Sequence, residues 1–289
     1  MIAFRRGAVD AATIAGAPRL RLIQRLGESP ATIDLAAAAA GSVAVSCLPR
    51  RTLRQTADHA LALMLALSRR LRAGERAVRE GAGGSVAAPL GQVAYNWPGL
   101  QGIETLAGRR LGIVGLGEVG SLVAQRAAAF EMAVTYTARS RLAPEREREL
   151  GVRWQPLDRL LGESDFVSVH VPGGAENRAL LGAREIGLMR PGAFLVNTSR
   201  GAVVDEDALW QALSEGRLGG AGLDVHAREP RPPGDRFCAL ANVVLTPHVG
   251  GGSRTGVLAE VGAMFDNFRA AIAGRRPRHA IVVAPGVAA

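Results

Sequence analysis

Cysteine is nearly absent: Cys47 and Cys238 stand far apart, with no CxxC and no His/Cys run of ligand spacing. A structural zinc site is therefore not expected, no other metal is indicated, and the usage points to a reducing, cytoplasmic compartment. Long apolar runs are missing too. The longest, residues 60–67, is far too short to span a bilayer, and residues 1–6 hold no apolar stretch of signal-peptide length. No membrane partner is expected. Aromatic residues make up only 4% of the chain, so the formal charge of +9 finds no basic stripe interleaved with stacking rings. The arginines are scattered, with short doublets such as Arg5-Arg6, Arg69-Arg70 and Arg275-Arg276. Nucleic acid is not an expected partner, and a basic surface equally suits an anionic substrate and an anionic cofactor.

What is present is a globular α/β composition. Hydrophobic residues are 48% of 289, and 36 glycines with 15 prolines imply many short connections. Residues 2–4 and 20–23 read as short strands, 33–40 as an Ala-rich helix and 43–45 as another strand. Residues 56–72 predict a helix that is apolar almost all round and so needs cover from a partner domain or subunit. Residues 73–100, rich in Gly, Ala and Pro, read as a crossing segment anchored by Tyr95 and Trp97. Strands then follow at 110–114, 134–137, 166–171, 195–197, 222–225 and 243–245, with helices at 119–130, 206–214 and 257–273. Short, nearly continuous apolar strands separated by helices predict a parallel sheet covered on both faces. The expected domains are 1–80 with 268–289, for substrate, and 81–267, for a dinucleotide.

The dinucleotide expectation rests on Gly115-Leu116-Gly117-Glu118-Val119-Gly120, placed between a strand and an amphipathic helix. The first glycine permits the tight turn, the second admits a pyrophosphate to the backbone, and the third lets helix and strand approach. Free amides at the helix start then face the phosphates. The second strand runs into Ala138-Arg139-Ser140-Arg141, with no acid to accept from a ribose hydroxyl. Arg139 can instead pair with a ribose phosphate, with Ser140 or Arg141 adding a contact, which favours NADP(H). The alternative is a solvent-facing Arg-rich loop that serves NAD through weaker ribose contacts.

Four further features stand together: Thr56-Ala57-Asp58-His59-Ala60-Leu61-Ala62-Leu63, the run from Gly112 through the glycine turn, Asn197-Thr198-Ser199-Arg200-Gly201-Ala202-Val203-Val204-Asp205, and Thr246-Pro247-His248-Val249-Gly250. Through these stretches the chain resembles the D-isomer-specific 2-hydroxyacid dehydrogenases, the family of glyoxylate/hydroxypyruvate reductases, D-lactate dehydrogenases and D-3-phosphoglycerate dehydrogenase. The resemblance implies two Rossmann-like domains with parallel sheets, in an α/β fold whose first domain is truncated at its N-terminus. It places Arg200, Glu229 and His248 on the catalytic triad and Asp224 near the nicotinamide. It also implies cofactor contacts from Val169, His170, Val171, Pro172, Asn197, Thr198, Ser199 and Gly250 and from His248 itself, and a homodimer. Reduction of a 2-oxo acid needs a cation for the carboxylate and a proton donor for the carbonyl oxygen. Arg200 suits the first task, and His248 oriented by Glu229 suits the second.

Three stretches depart from the family pattern: Gly27-Glu28-Ser29-Pro30, where members often have Gly-x-Gly; Arg50, where Pro-Gly is common; and Val171-Pro172-Gly173-Gly174, where many read Pro-Leu-Thr. Arg50 or Arg51 either extends an anionic site or faces water. The expected activity is an NADP(H)-linked reductase of a small 2-oxo acid such as glyoxylate or hydroxypyruvate. The alternatives are an NAD-linked dehydrogenase of another, possibly phosphorylated, D-2-hydroxy acid and a catalytically weak dinucleotide-binding regulatory protein.

Overall fold

The structure is a computed structural model and describes residues 1–3, 7–50, 52–82, 95–252 and 254–282. Phe4, Arg5, Arg6 and Arg51 of the sequence analysis, and residues 83–94 of the expected crossing segment, lie outside the described residues. The chain opens with β1 (Ile2–Ala3), α1 (Ala11–Ala15), β2 (Leu22–Leu26), α2 (Leu35–Ala40), β3 (Ala44–Leu48), α3 (Thr52–Ser68) and α4 (Leu71–Arg79). It continues through β4 (Arg110–Val114), α5 (Glu118–Ala129), β5 (Ala133–Thr137), α6 (Pro144–Leu150), β6 (Val152–Trp154), α7 (Leu157–Glu163), β7 (Phe166–Val169) and α8 (Ala183–Leu188). It ends with β8 (Phe194–Asn197), α9 (Glu206–Ser214), β9 (Gly220–Leu223), β10 (Val243–Leu245), α10 (Arg254–Ile272) and β11 (Ala280–Val282). Among the described residues no helix is long and apolar enough to cross a membrane.

Two compact units result, Met1–Leu53 with Gly252–Ala289, and Arg54–Gly251. The first holds a four-stranded sheet in the order β1-β2-β3-β11. Its first three strands are parallel, but β11 pairs antiparallel with β3, so this sheet is mixed rather than wholly parallel as expected. The short segment after α10 brings the chain back against β3 in the opposite sense. Asn267 of α10 is buried and donates to Gln24 Oε1 at 2.7 Å and Ser46 Oγ at 3.0 Å. That polar tie joins α10 to β2 and β3, and the unit takes up the chain again at 252, where 268 was expected.

The second unit carries a seven-stranded, fully parallel sheet in the order β10-β9-β8-β7-β4-β5-β6. Strand order reverses between β4 and β7, which opens a crevice at their carboxyl ends. β7 and β9 are buried along their whole length, as strands covered on both faces should be. From residue 54 α3 belongs here, which moves the boundary from the expected 80. Its Leu63 lies against Gly222, where a Cβ would come within 2.9 Å of Leu63 Cβ, and Leu67 meets Gly220 in the same way at 3.1 Å. The apolar face that needed cover therefore finds it on this unit's own sheet, where Leu63, Met64 and Leu67 share a core cluster with Leu111, Phe166 and Val196. The run expected as one helix to residue 72 breaks at Arg70, whose φ of 53° is left-handed and whose Nε donates to Gln101 O. Tyr95 and Trp97 are not anchors: they are 85% and 58% exposed, and a polar turn between Asn96 and Leu100 holds that stretch. Truncating Leu63 to Ala should cost about 2–5 kcal/mol, because the glycine opposite cannot fill the cavity. Urea unfolding with an unchanged midpoint would show that α3 is not docked through this residue.

Candidate functional site

The glycine turn joins β4 to α5, with Gly115 at φ +96° and Gly117 as the helix N-cap. A Cβ on Gly115 would lie 2.8 Å from Val171 Cγ1 and 2.9 Å from the backbone of His170 and Val171. A Cβ on Gly120 would lie 2.4 Å from Gly115 O. These two positions admit nothing larger than hydrogen, and the turn packs directly on the exit of β7. Leu116, Val119 and Val169 spend their side chains in the core, so only their backbone can face a ligand. Burial pushes the His170 imidazole down to about 4, and its Nε2 lies 2.8 Å from Ser168 Oγ. Pro172 is exposed and its carbonyl accepts from Asn177 Nδ2.

At the exit of β5, the two arginines separate in role. Arg141 makes a two-point contact with Glu147, both bonds at 2.9 Å, and Glu147 also accepts from Tyr136 Oη at 2.8 Å. The guanidinium of Arg141 holds the Glu147 carboxyl below its ordinary pKa. Arg139 and Ser140 are exposed, and their side chains have no partner among the described residues. Glu118 sits in the first turn of α5.

The remaining candidates occupy the exits of β8, β9 and β10, again at the carboxyl edge. Asn197 closes the loop after β8: its Oδ1 accepts from Ser199 N and Oγ, and its Nδ2 donates to Arg200 O. Thr198 is buried and its hydroxyl has no partner among the described residues. Arg200 is exposed; its Nη1 donates to the carbonyl of its neighbour Ser199 at 2.5 Å. The Arg200 stem runs over Gly173, where a Cβ would come within 2.9 Å of its Cγ. Gly201 lies so close to the next loop that a Cβ would fall 2.0 Å from His226 C and O.

After β9, Glu229 accepts from His226 N through Oε1 at 2.9 Å and meets His248 Nδ1 through Oε2 at 2.7 Å. Burial pushes the Glu229 carboxyl up, but the bonds from His248 and His226 N prevail and hold it below the usual carboxylate value. His248 is in the left-handed region with φ 55°, and its ring keeps Nε2 away from Glu229. Asp224 is 1% exposed, and its carboxylate is occupied within the protein. Thr246 Oγ1 at 2.6 Å, Val249 N at 2.9 Å and Gly250 N at 2.8 Å all donate to it. His59 Nε2 stands 3.3 Å from the same group and 2.8 Å from Thr246 Oγ1. Asp224, which the resemblance places near the nicotinamide, anchors the His248 loop, and Gly250 supplies it with an amide. Sequence reasoning did not single out His59, His226 or Thr246 as site residues, although His59 and Thr246 lay inside the quoted stretches. Among the described residues no group of three or more His, Cys, Asp or Glu is placed to hold a metal.

Comparison with known proteins gives a family match and several relatives. The family of D-isomer specific 2-hydroxyacid dehydrogenases, by its NAD binding domain, matches residues 61–250. The chain is similar to a glyoxylate reductase of Korarchaeum cryptofilum (strain OPF8), 41% identical over 245 residues, spanning 85% of this chain and 71% of that protein. It is also similar to a D-3-phosphoglycerate dehydrogenase of Mycobacterium tuberculosis (strain ATCC 25618 / H37Rv), 36% identical over 282 residues, or 96% of this chain and 50% of that one. The solved structure of the TT0316 protein from Thermus thermophilus superposes with a TM-score of 0.68 at 37% identity, covering 97% of this chain and 85% of that chain.

The Asp224 anchor has a measurable signature. Burial raises its carboxyl pKa, but hydrogen bonds from His59, Thr246, Gly250 N and Val249 N more than reverse this and leave it depressed. Its stabilising contribution is therefore complete above the unfolded value of about 3.9 and is lost as pH falls below that. Asp224→Ala should cost about 1–3 kcal/mol for each donor left unsatisfied and flatten the acid side of the stability curve. Equal acid unfolding midpoints for the two proteins would contradict the anchor.

Proposed function

The chain belongs to the D-isomer specific 2-hydroxyacid dehydrogenase family, and from that premise we propose an NADP(H)-preferring reductase of small 2-oxo acids such as glyoxylate or hydroxypyruvate. That it is an NAD(P)-dependent 2-hydroxyacid dehydrogenase acting on a small organic acid follows from the family itself. The observation that carries the finer reading is the Glu229–His248 pair at 2.7 Å, in a loop cluster that also presents the exposed Arg200.

The residues present fit a dinucleotide. Gly115 and Gly120 let the turn close tightly against α5 and the exit of β7, no side-chain cap covers the start of α5 at Gly117, and the buried Thr198 hydroxyl stands without a protein partner among the described residues. When bound, the nicotinamide group supplies or accepts the hydride. Arg200 then holds the substrate carboxylate with its planar fork. Glu229 keeps Nδ1 of His248, so Nε2 is the atom that gives a proton to the carbonyl oxygen in reduction and takes it back in oxidation. For the cofactor preference, support comes from Arg139: Arg141 is committed to Glu147, and Arg139 is the cation left to meet a ribose phosphate. Homodimerisation is part of the proposal and is read by light scattering.

Initial rates with NADPH and NADH against glyoxylate, hydroxypyruvate and phosphohydroxypyruvate test this directly. NADPH should be favoured, and Arg139→Ala should reduce that preference about tenfold, the worth of one charge-assisted bond. His248→Ala should lower kcat about 10²–10⁴-fold. Turnover of no acid by a protein that still binds the dinucleotide would replace the reductase with a regulatory binding protein. Preference for the phosphorylated acid with NADH would favour the NAD-linked alternative.

The Gly173 contact gives a further expectation. Gly173→Ala sets a methyl against the Arg200 stem, and KM for the acid should rise about tenfold, with KM for NADPH unchanged, for a loss near 1.4 kcal/mol. An unchanged KM for the acid would show that Arg200 does not need this seat.

A further inference from the structure

His226 lies where the three proposed catalytic residues are referenced to one another, and its ring is held in one hydrogen-bonding state. Arg231 is 10% exposed, and its guanidinium lies against His226 Nδ1, with Nε at 3.1 Å and Nη2 at 3.0 Å. The same guanidinium donates to Asp235 Oδ1 at 2.8 Å and Glu206 Oε1 at 2.5 Å, and its Cζ sits 4.8 Å from the centroid of the fully buried Phe237 ring. An arginine has donors only. Nδ1 of His226 must therefore present its lone pair, which puts the ring proton on Nε2. Nε2 is 3.0 Å from Thr246 O and donates to it. Glu206 and Asp235 balance the charge of Arg231, and Glu206 also accepts from Ala227 N. Glu229 faces the backbone amide of His226 rather than its ring, and Asp224 reaches the same strand exit through Thr246 Oγ1.

Each proposed catalytic residue refers back to His226. Its amide holds Glu229, its carbonyl is the surface on which Gly201, next to Arg200, is packed, and its ring holds Thr246, two residues before His248. We propose that Arg231 and His226 are positioning residues for the reductase: Arg231 fixes His226 as the Nε2–H tautomer, and that imidazole sets the separation of the β9 and β10 exits at which Glu229 meets His248. The proposal rests on the reading of Glu229 and His248 given above.

Nitrogen-15 spectra of the histidine side chains of the full chain test the tautomer without turnover. In the unaltered protein His226 should show a protonated Nε2 and a bare Nδ1, and His248 a downfield Nδ1 proton from its bond to Glu229. Arg231→Met should give His226 a mixture of tautomers and weaken the His248 signal. Kinetics at saturating NADPH and acid should show kcat about tenfold lower in Arg231→Met and in His226→Phe, with KM for NADPH unchanged. The double variant should lose little more than either single one, because both remove the same link. His226→Gln keeps an acceptor for Arg231 and a donor for Thr246 O, and should retain kcat within about threefold and keep the His248 signal, which also separates positioning from misfolding. Unaltered spectra and kcat in Arg231→Met would overturn the proposal, as would a loss in His226→Gln equal to that in His226→Phe. Full turnover in His248→Ala would instead overturn the underlying reading and leave the His226 spectra to judge the tautomer lock.

Discussion

The carboxylate of Asp224 fixes where the chain can run after β10. Its two oxygens take the Thr246 hydroxyl and the amides of Val249 and Gly250, while its own carbonyl takes the amide of His248. Between those bonds His248 is held at a positive φ, a conformation that costs a non-glycine residue roughly 1–2 kcal/mol. Bonds on both sides of the residue meet that cost. A buried carboxylate without such donors would be untenable, and a left-handed histidine without such a carboxylate would relax. Each makes the other possible, and the Glu229 contact depends on both.

Parallel topology explains how distant stretches reach one another. Every strand of the large sheet points the same way, so the loops after β4, β7, β8, β9 and β10 all emerge at one edge. Glycine then sets how closely they can stack. Gly115 admits the backbone of the β7 exit, Gly173 admits the stem of Arg200, and Gly201 admits the carbonyl of His226. The departure at Gly173-Gly174 thus has a local physical sense: this loop has given up a side chain where the arginine passes.

Much of this was legible in the sequence because it rests on patterns a chain carries locally. The six expected strands of the large sheet are all present, although β9 begins two residues earlier than expected, at Gly220, where glycine hides a strand that α3 covers. The tight turn at Gly115 and Gly120 is legible in the glycine spacing, and the resemblance pairs Glu229 with His248, which the structure brings to 2.7 Å. The short helices α6 and α7 and the edge strand β6 were missed, because residues such as those of Pro144–Leu150 are mostly charged and their stability comes from ion pairs and packing. The anchoring of the His248 loop by Asp224 was not legible, because a carboxylate that faces a ligand and one that holds a loop look alike in one dimension. The Arg231–His226 contact was invisible for the same reason: neither residue type implies the other until the turn at 227–230 folds them together.

The chain's basic residues bear on the proposed proton chemistry. It contains no lysine, so every side-chain cation is an arginine or a histidine, and an arginine does not exchange its proton in a protein. Five histidines remain. His279 belongs to the first unit. In the second unit, His170 is driven toward the neutral form by burial, His59 is engaged by Thr246 and Asp224, and both ring nitrogens of His226 are engaged by Arg231 and Thr246. His248 has one nitrogen on a carboxylate and the other free of it, in a side chain 44% exposed. A carboxylate-oriented imidazole with an open Nε2 is the arrangement that a reversible proton transfer to a substrate oxygen requires, and on this unit the other histidines are committed elsewhere.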